Sequence, residues 1–107
     1  MSKYVNVVKV KVKPSLRTKY IRLVKARPKF KGQTSALFVE TAKSQFHMIG
    51  VWKSKNDMIK ARPKMIEFLN ILRHTLKKLS PRLGVTDPAS GFVVVKKIGR
   101  ASCRERV

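Results

Sequence analysis

The stretch Gln45-Phe-His-Met-Ile-Gly-Val-Trp52 constrains the fold more than any other. At a period of two it places Phe46, Met48 and Trp52 on one face and Ile49 and Val51 on the other. A strand that is apolar on both faces needs cover on both sides. A chain of 107 residues holds one modest core, so it must supply that cover economically.

The segments around this strand follow from their own patterns. Tyr4 to Val12 reads as a strand, with Val8, Val10 and Val12 on one face and Lys9 and Lys11 on the other. Pro14 cannot extend a ladder, and Ser15 is positioned to cap a helix over Leu16 to Ala26. Leu16, Tyr20, Leu23 and Val24 form the apolar stripe of that helix, and Arg27-Pro28 ends it. After a loop around Gly32, Ala36 to Thr41 is a second strand, turning through Ala42-Lys43-Ser44 into the third. Ser54 to Asp57 is a helix start, with Asp57 near the positive end of the helix dipole. A short helix is expected to stop at Arg62-Pro63, and a new one to run from Lys64 to Leu79. Met65, Phe68, Leu69, Leu72, Leu76 and Leu79 make its stripe. Ser80-Pro81 stops it, Arg82 to Gly91 is a loop, and Phe92 to Val95 is a fourth strand. The order β-α-β-β-α-β is the ferredoxin-like arrangement of an α+β domain.

Residues 98–107, Ile-Gly-Arg-Ala-Ser-Cys-Arg-Glu-Arg-Val, resemble a translated sequencing adapter at every position. They are expected to be a non-native tail, leaving residues 1–97 as a single domain. The only cysteine, Cys103, falls in that tail, so neither a disulfide framework nor a multi-cysteine zinc site is expected. No apolar run approaches the ~20 residues of a membrane span, and a reducing, cytoplasmic setting is the default expectation.

The opening strand Tyr4–Pro14 and the junction Phe46-His-Met-Ile-Gly-Val-Trp-Lys-Ser-Lys-Asn-Asp57 resemble the antibiotic biosynthesis monooxygenase-like family. Ala61-Arg-Pro-Lys-Met65 and Leu83-Gly-Val-Thr-Asp-Pro-Ala-Ser-Gly91 resemble a closer subset. The resemblance implies a dimeric α+β barrel, in which two sheets pair across a two-fold axis with the helices outside. A homodimer of that kind would cover the second apolar face of Gln45–Trp52, which a monomer would expose. The family holds quinone-forming monooxygenases, haem-degrading enzymes and members without known activity. The implied reaction is cofactor-independent oxygenation of a small aromatic, hydroquinone-like substrate. The haem-degrading subset implies a Trp near Ala61 and a His near Ile71, and both are absent.

Four residues are candidates for such a site. Asn6 shares its face with Val8, Val10 and Val12, and a buried amide needs partners. His47 has the opposite parity to Phe46 and Met48 and is a candidate general base or donor; the competing reading is a core histidine satisfied by a neighbour. Asn6 and His47 are the catalytic candidates. Trp52 and Asp87 are the substrate-binding candidates, Trp52 also fitting plain core packing and Asp87 lying on a loop that could close over a pocket or merely connect. His74 opposes the leucine stripe and reads as a surface residue. Two histidines on separate elements make no metal constellation, and no phosphate loop, nucleophile elbow or flavin or nicotinamide fingerprint is present. No metal or cofactor is therefore expected.

Charge supplies a rival reading. The formal net charge is +21, and the tail's three arginines and one glutamate lower it only to +19 on removal. Non-specific attraction to nucleic acid and other polyanions follows. Yet the excess is mostly lysine, the aromatic residues read as core, and no nucleic-acid motif is present. A non-catalytic ligand-binding dimer and a polyanion binder stand as the alternatives to an oxygenase.

Overall fold

The alternating valines form β1 (Tyr4–Val12), the centre of a five-stranded antiparallel sheet in a computed structural model that describes residues 3–97. The adapter-like tail and Cys103 lie outside the described residues. β2 (Gln33–Ala42) pairs with β3 (Gln45–Trp52), and β3 pairs with β1. On its other side β1 pairs with two strands in succession. β4 (Leu76–Lys77) meets Lys11 and Val12, and β5 (Asp87–Phe92) runs along Tyr4 to Lys9. Two helices, α1 (Arg17–Lys25) and α2 (Lys55–Leu72), pack on one face of this sheet. The architecture is the expected α+β ferredoxin-like one, with an added edge strand.

Register decides which side chains share a face. Tyr4, Asn6, Val8 and Val10 stand opposite Trp52, Gly50, Met48 and Phe46, all towards the helices. Val5, Val7 and Lys9 stand opposite Val51, Ile49 and His47 on the uncovered face. Leu37 and Val39 of β2 join that second face and are exposed, Leu37 by 56%. The helix face carries two buried clusters. Val10, Val12, Tyr20, Phe46, Leu72 and Leu76 form one; Tyr4, Phe30, Trp52, Met58 and Ala61 form the other. Phe68 of α2 touches both.

The second helical region departs from expectation. Pro63 lies inside a continuous α2 and neither ends nor starts a helix. A proline there lacks its N–H and crowds the preceding turn, costing about 3 kcal/mol. Met58 and Ala61 before it, and Met65, Phe68 and Leu69 after it, are anchored on the sheet, so burial on both sides outweighs the break. The start of α2 matches the sequence: Ser54 Oγ accepts from the Asp57 backbone N–H at 3.1 Å and its hydroxyl donates to the Asp57 carboxylate at 3.1 Å.

α2 ends at Leu72, not Leu79. Thr75 Oγ1 donates to the Leu72 carbonyl at 2.6 Å, and the Lys13 N–H donates to the Thr75 carbonyl at 2.8 Å. Those two bonds turn the chain out of the helix and into β4, where Leu76 is buried as a strand residue. Ser15 caps nothing: it lies in a 3₁₀ turn over Pro14–Leu16, and α1 begins at Arg17 without a side-chain cap. β2 begins three residues earlier than expected, at Gln33.

The expected loop through Gly91 and strand from Phe92 are exchanged. Asp87–Phe92 is the strand, so Asp87 opens β5 opposite Lys9 rather than lying on a closing loop. Pro88 is accommodated because β5 is an edge strand. The far end is fixed by Tyr4, whose hydroxyl lies 2.9 Å from Ser90 Oγ and whose ring meets Phe92 edge-on at 4.9 Å.

Candidate functional site

Between the two clusters, under α2, lies a cavity of about 300 Å³. Val8, Met48, Met65, Phe68 and Leu69 make its apolar walls. Its polar corner is built from Asn6 on β1, Gln33 at the start of β2 and Arg27 just after α1. Among the described residues no Asp, Glu or His lines it.

Trp52 and Arg27 fix the orientation of both amides. Trp52 is fully buried, and its indole N–H donates to Asn6 Oδ1 at 2.6 Å. An indole nitrogen can only donate, so the atom it meets is the carboxamide oxygen. Arg27 Nη2 likewise donates to Gln33 Oε1 at 2.8 Å. With both oxygens engaged, what each amide has left to offer is its NH₂ group, that of Gln33 lying over Gly50. The corner therefore offers donors: two amide NH₂ groups and a guanidinium.

Gly50 makes the convergence possible. A methyl group at that position would lie 2.5 Å from Asn6 Oδ1, 2.6 Å from Gln33 Nε2 and 3.1 Å from Trp52 Nε1. The bare backbone of Gly50 is thus the floor on which three polar side chains meet. Behind it is a layered stack: the Arg27 guanidinium lies 4.4 Å from the Phe30 ring centre, and Phe30 lies parallel to Trp52 at 6.3 Å and 8°. Partial burial holds the Arg27 guanidinium below its ordinary pKa.

Of the four candidates, the fold brings Asn6 and Trp52 together and separates the others from them. His47 pairs with Lys9 on the opposite face of the sheet, its Nδ1 3.2 Å from Thr41 Oγ1. Asp87 is exposed on that same face, and its neighbours Thr86 and Pro88 line the cavity instead. His74 is exposed. Sequence reading missed Arg27, Gln33 and Gly50. Only Gly50 carried a signal, since a lone glycine within a strand marks a close approach by another group. Among the described residues no cluster of three or more His, Cys, Asp or Glu could hold a metal ion, and no helix is long and apolar enough to cross a membrane.

No family model and no curated protein sequence matches the chain. Solved structures do. A monooxygenase from the gene ActVA-Orf6 of Streptomyces coelicolor, in complex with the ligand nanaomycin D, is similar at TM-score 0.67 and 16% identity, over 92% of this chain and 94% of that one. SnoaB, a cofactor-independent oxygenase from Streptomyces nogalater, is similar at TM-score 0.65 and 12% identity, over 90% and 97%. A dimeric ferredoxin-like protein from an uncultured marine organism reaches TM-score 0.71 at 11% identity, over 94% and 95%. The fold is thus the one that the resemblance to antibiotic biosynthesis monooxygenase-like proteins implied.

Proposed function

We propose that this protein binds a planar, hydroquinone-like aromatic molecule in the cavity under α2 and oxygenates it without a resident cofactor. The observation that carries this reading is the pairing of apolar walls with a donor corner. A phenolic ring fits the walls, and its ionised oxygen is what such a corner stabilises. Stabilising the phenolate raises electron density on the ring, which can then react with dioxygen directly. One oxygen atom enters the ring, the other leaves as water, and the substrate, oxidised to a quinone, supplies all four electrons. The protein's part is to hold the ring, exclude water and favour the ionised form. Since no carboxylate or imidazole among the described residues lines the cavity, the phenolic proton passes to solvent.

In this reading the Asn6 NH₂ is the donor nearest the reacting oxygen, and Trp52 positions it. His47 and Asp87 are assigned to the uncovered face of the sheet, where a second copy would pack over Leu37, Val39, Ile49 and Val51. An apolar sheet face of this kind is a liability in a monomer. The solved dimeric and cofactor-independent relatives in fold support both parts.

Oxygen uptake with a panel of anthrones and dihydroxynaphthalenes tests the reaction. Wild-type turnover that falls about a hundredfold in Asn6→Ala is expected. Uptake no faster than the spontaneous rate across the panel would reject the oxygenase and leave a binding protein. Native mass spectrometry after a nuclease step tests the assembly: a dimer mass is expected, and a monomer retaining oligonucleotide would favour polyanion binding through the +21 charge.

A further inference from the structure

We infer that the aromatic ligand carries a second, ionised acid group, a carboxylate, and that Arg27 is the residue that selects it. The inference rests on the aromatic reading of the cavity and adds the charge that its ligand must bear.

The side chain of Arg27 is held in place from two directions. Its guanidinium lies over Phe30 at 4.4 Å, with the Phe38 ring 5.7 Å away, and one edge donates to Gln33 Oε1 at 2.8 Å. The backbone is fixed too, since the Arg27 N–H closes the last turn of α1 on the Val24 carbonyl at 3.2 Å. A guanidinium has five N–H donors, and Gln33 takes one of them.

This cation is half-buried without an acidic partner. Among the described residues the only ion pair joins Arg17 to Glu40, and no carboxylate lines the cavity. Partial burial of a charge costs free energy, and its mark is the lowered pKa of Arg27. A flat two-oxygen anion matches the planar fork of an arginine better than any neutral group does. Arg62 of α2 lines the same cavity and places a second cation near it. A single phenolate oxygen held by the amide donors leaves the two-pronged edge of Arg27 without a two-oxygen partner. An aromatic acid would satisfy both.

Calorimetric titration of the full 107-residue chain with 2-naphthoate and its neutral isostere 2-naphthamide tests this. The acid is expected to bind about ten- to a hundredfold tighter. Arg27→Gln should erase that preference, lowering affinity for the acid well beyond any loss for naphthamide that follows from freeing the Gln33 amide. Lys29→Gln removes one exposed charge outside the cavity and should keep it. Should Arg27→Gln fail to fold by circular dichroism, Arg27→Lys serves instead, with a severalfold loss of preference expected because the charge remains and the fork is gone. Equal affinity for acid and amide in the wild type overturns the inference but spares the aromatic reading. So does a preference that survives at position 27, or that falls equally in Lys29→Gln, which would trace it to the diffuse positive field. Binding of neither probe overturns both.

Discussion

The indole N–H of Trp52 donates to the carboxamide oxygen of Asn6 at 2.6 Å, joining diagonal neighbours on the helix face of β1 and β3. One bond thereby commits a buried tryptophan to aiming an amide at the cavity. Trp52→Phe keeps a ring in the core but removes the donor and some volume. The expected cost is roughly 2–3 kcal/mol in urea unfolding. Without its anchor, the Asn6 carboxamide can turn its oxygen inward, so affinity for 2-naphthoate should fall more than affinity for 2-naphthamide. An equal fall for both would mean that the bond is structural only.

Gly50→Ala tests the floor of the site. The added methyl group lies too close to Asn6 Oδ1 and Gln33 Nε2 for either amide to stay. Both are side-chain ends that can shift, so a modest destabilisation of about 1–2 kcal/mol is expected. Ligand affinity should drop tenfold or more. Wild-type affinity in this variant would remove the amide corner from the site.

Tyr20 presents the reverse case, a core position spoiled by one polar atom. Its side chain is fully buried among Val10, Phe46 and Leu72, and its hydroxyl has no hydrogen-bond partner among the described residues. Burial pushes its pKa up to about 12. Tyr20→Phe should therefore raise stability by up to about 1 kcal/mol. Because the folded pKa lies above the ordinary 10, the wild type should also lose stability as pH rises from about 10 towards 12, and the variant should not. A destabilised variant in urea unfolding would show that the hydroxyl finds a water partner.

Glu40 gives the acid limb. The Arg17 guanidinium donates to both of its oxygens, at 2.6 and 3.0 Å, and the Ser44 N–H adds a third bond at 2.9 Å. Arg17 first, then Ser44, holds this carboxylate down to about 2 from the ordinary 4.5. A depressed carboxylate stabilises the fold fully above its unfolded pKa and loses that contribution as pH falls through the folded one. Between pH 4.5 and about 2, thermal midpoints should fall less steeply for Glu40→Gln than for the wild type. Parallel profiles would show that this exposed pair contributes nothing to folding. The same bonds close the Lys43–Ser44 turn, where Ser44 takes a left-handed φ of 58°.

Much of the fold is readable along the chain because its causes are local. The period-two valines give β1, the apolar run gives β3 with both its ends, and Ser54 with Asp57 starts α2. Each of these depends on residues a few positions apart, where propensity, caps and alternation act directly. The apolar second face of β3 is equally plain in the sequence, and no helix of the described structure covers it.

The remaining features were decided by contacts between distant residues. Pro63 stays helical because residues on either side of it are buried against the sheet, and no local rule contains that energy. Leu76 fits a helical stripe as well as a strand, and the bond from Lys13 to Thr75, sixty-two positions along, chooses the strand. Asp87–Phe92 has the composition of a loop and becomes β5 because β1 had a free edge. Asn6 and Trp52 are legible as candidates in the sequence, but Arg27 and Gln33 carry no local mark and Gly50 only that of a lone strand glycine. Pairing β1 with β3 and β3 with β2 brings them to one corner, where the donor-only chemistry of an indole and a guanidinium orients two amides. Sequence periodicity sets which face a side chain joins; only the register and the packing of three segments determine which polar atoms meet there and which way they point.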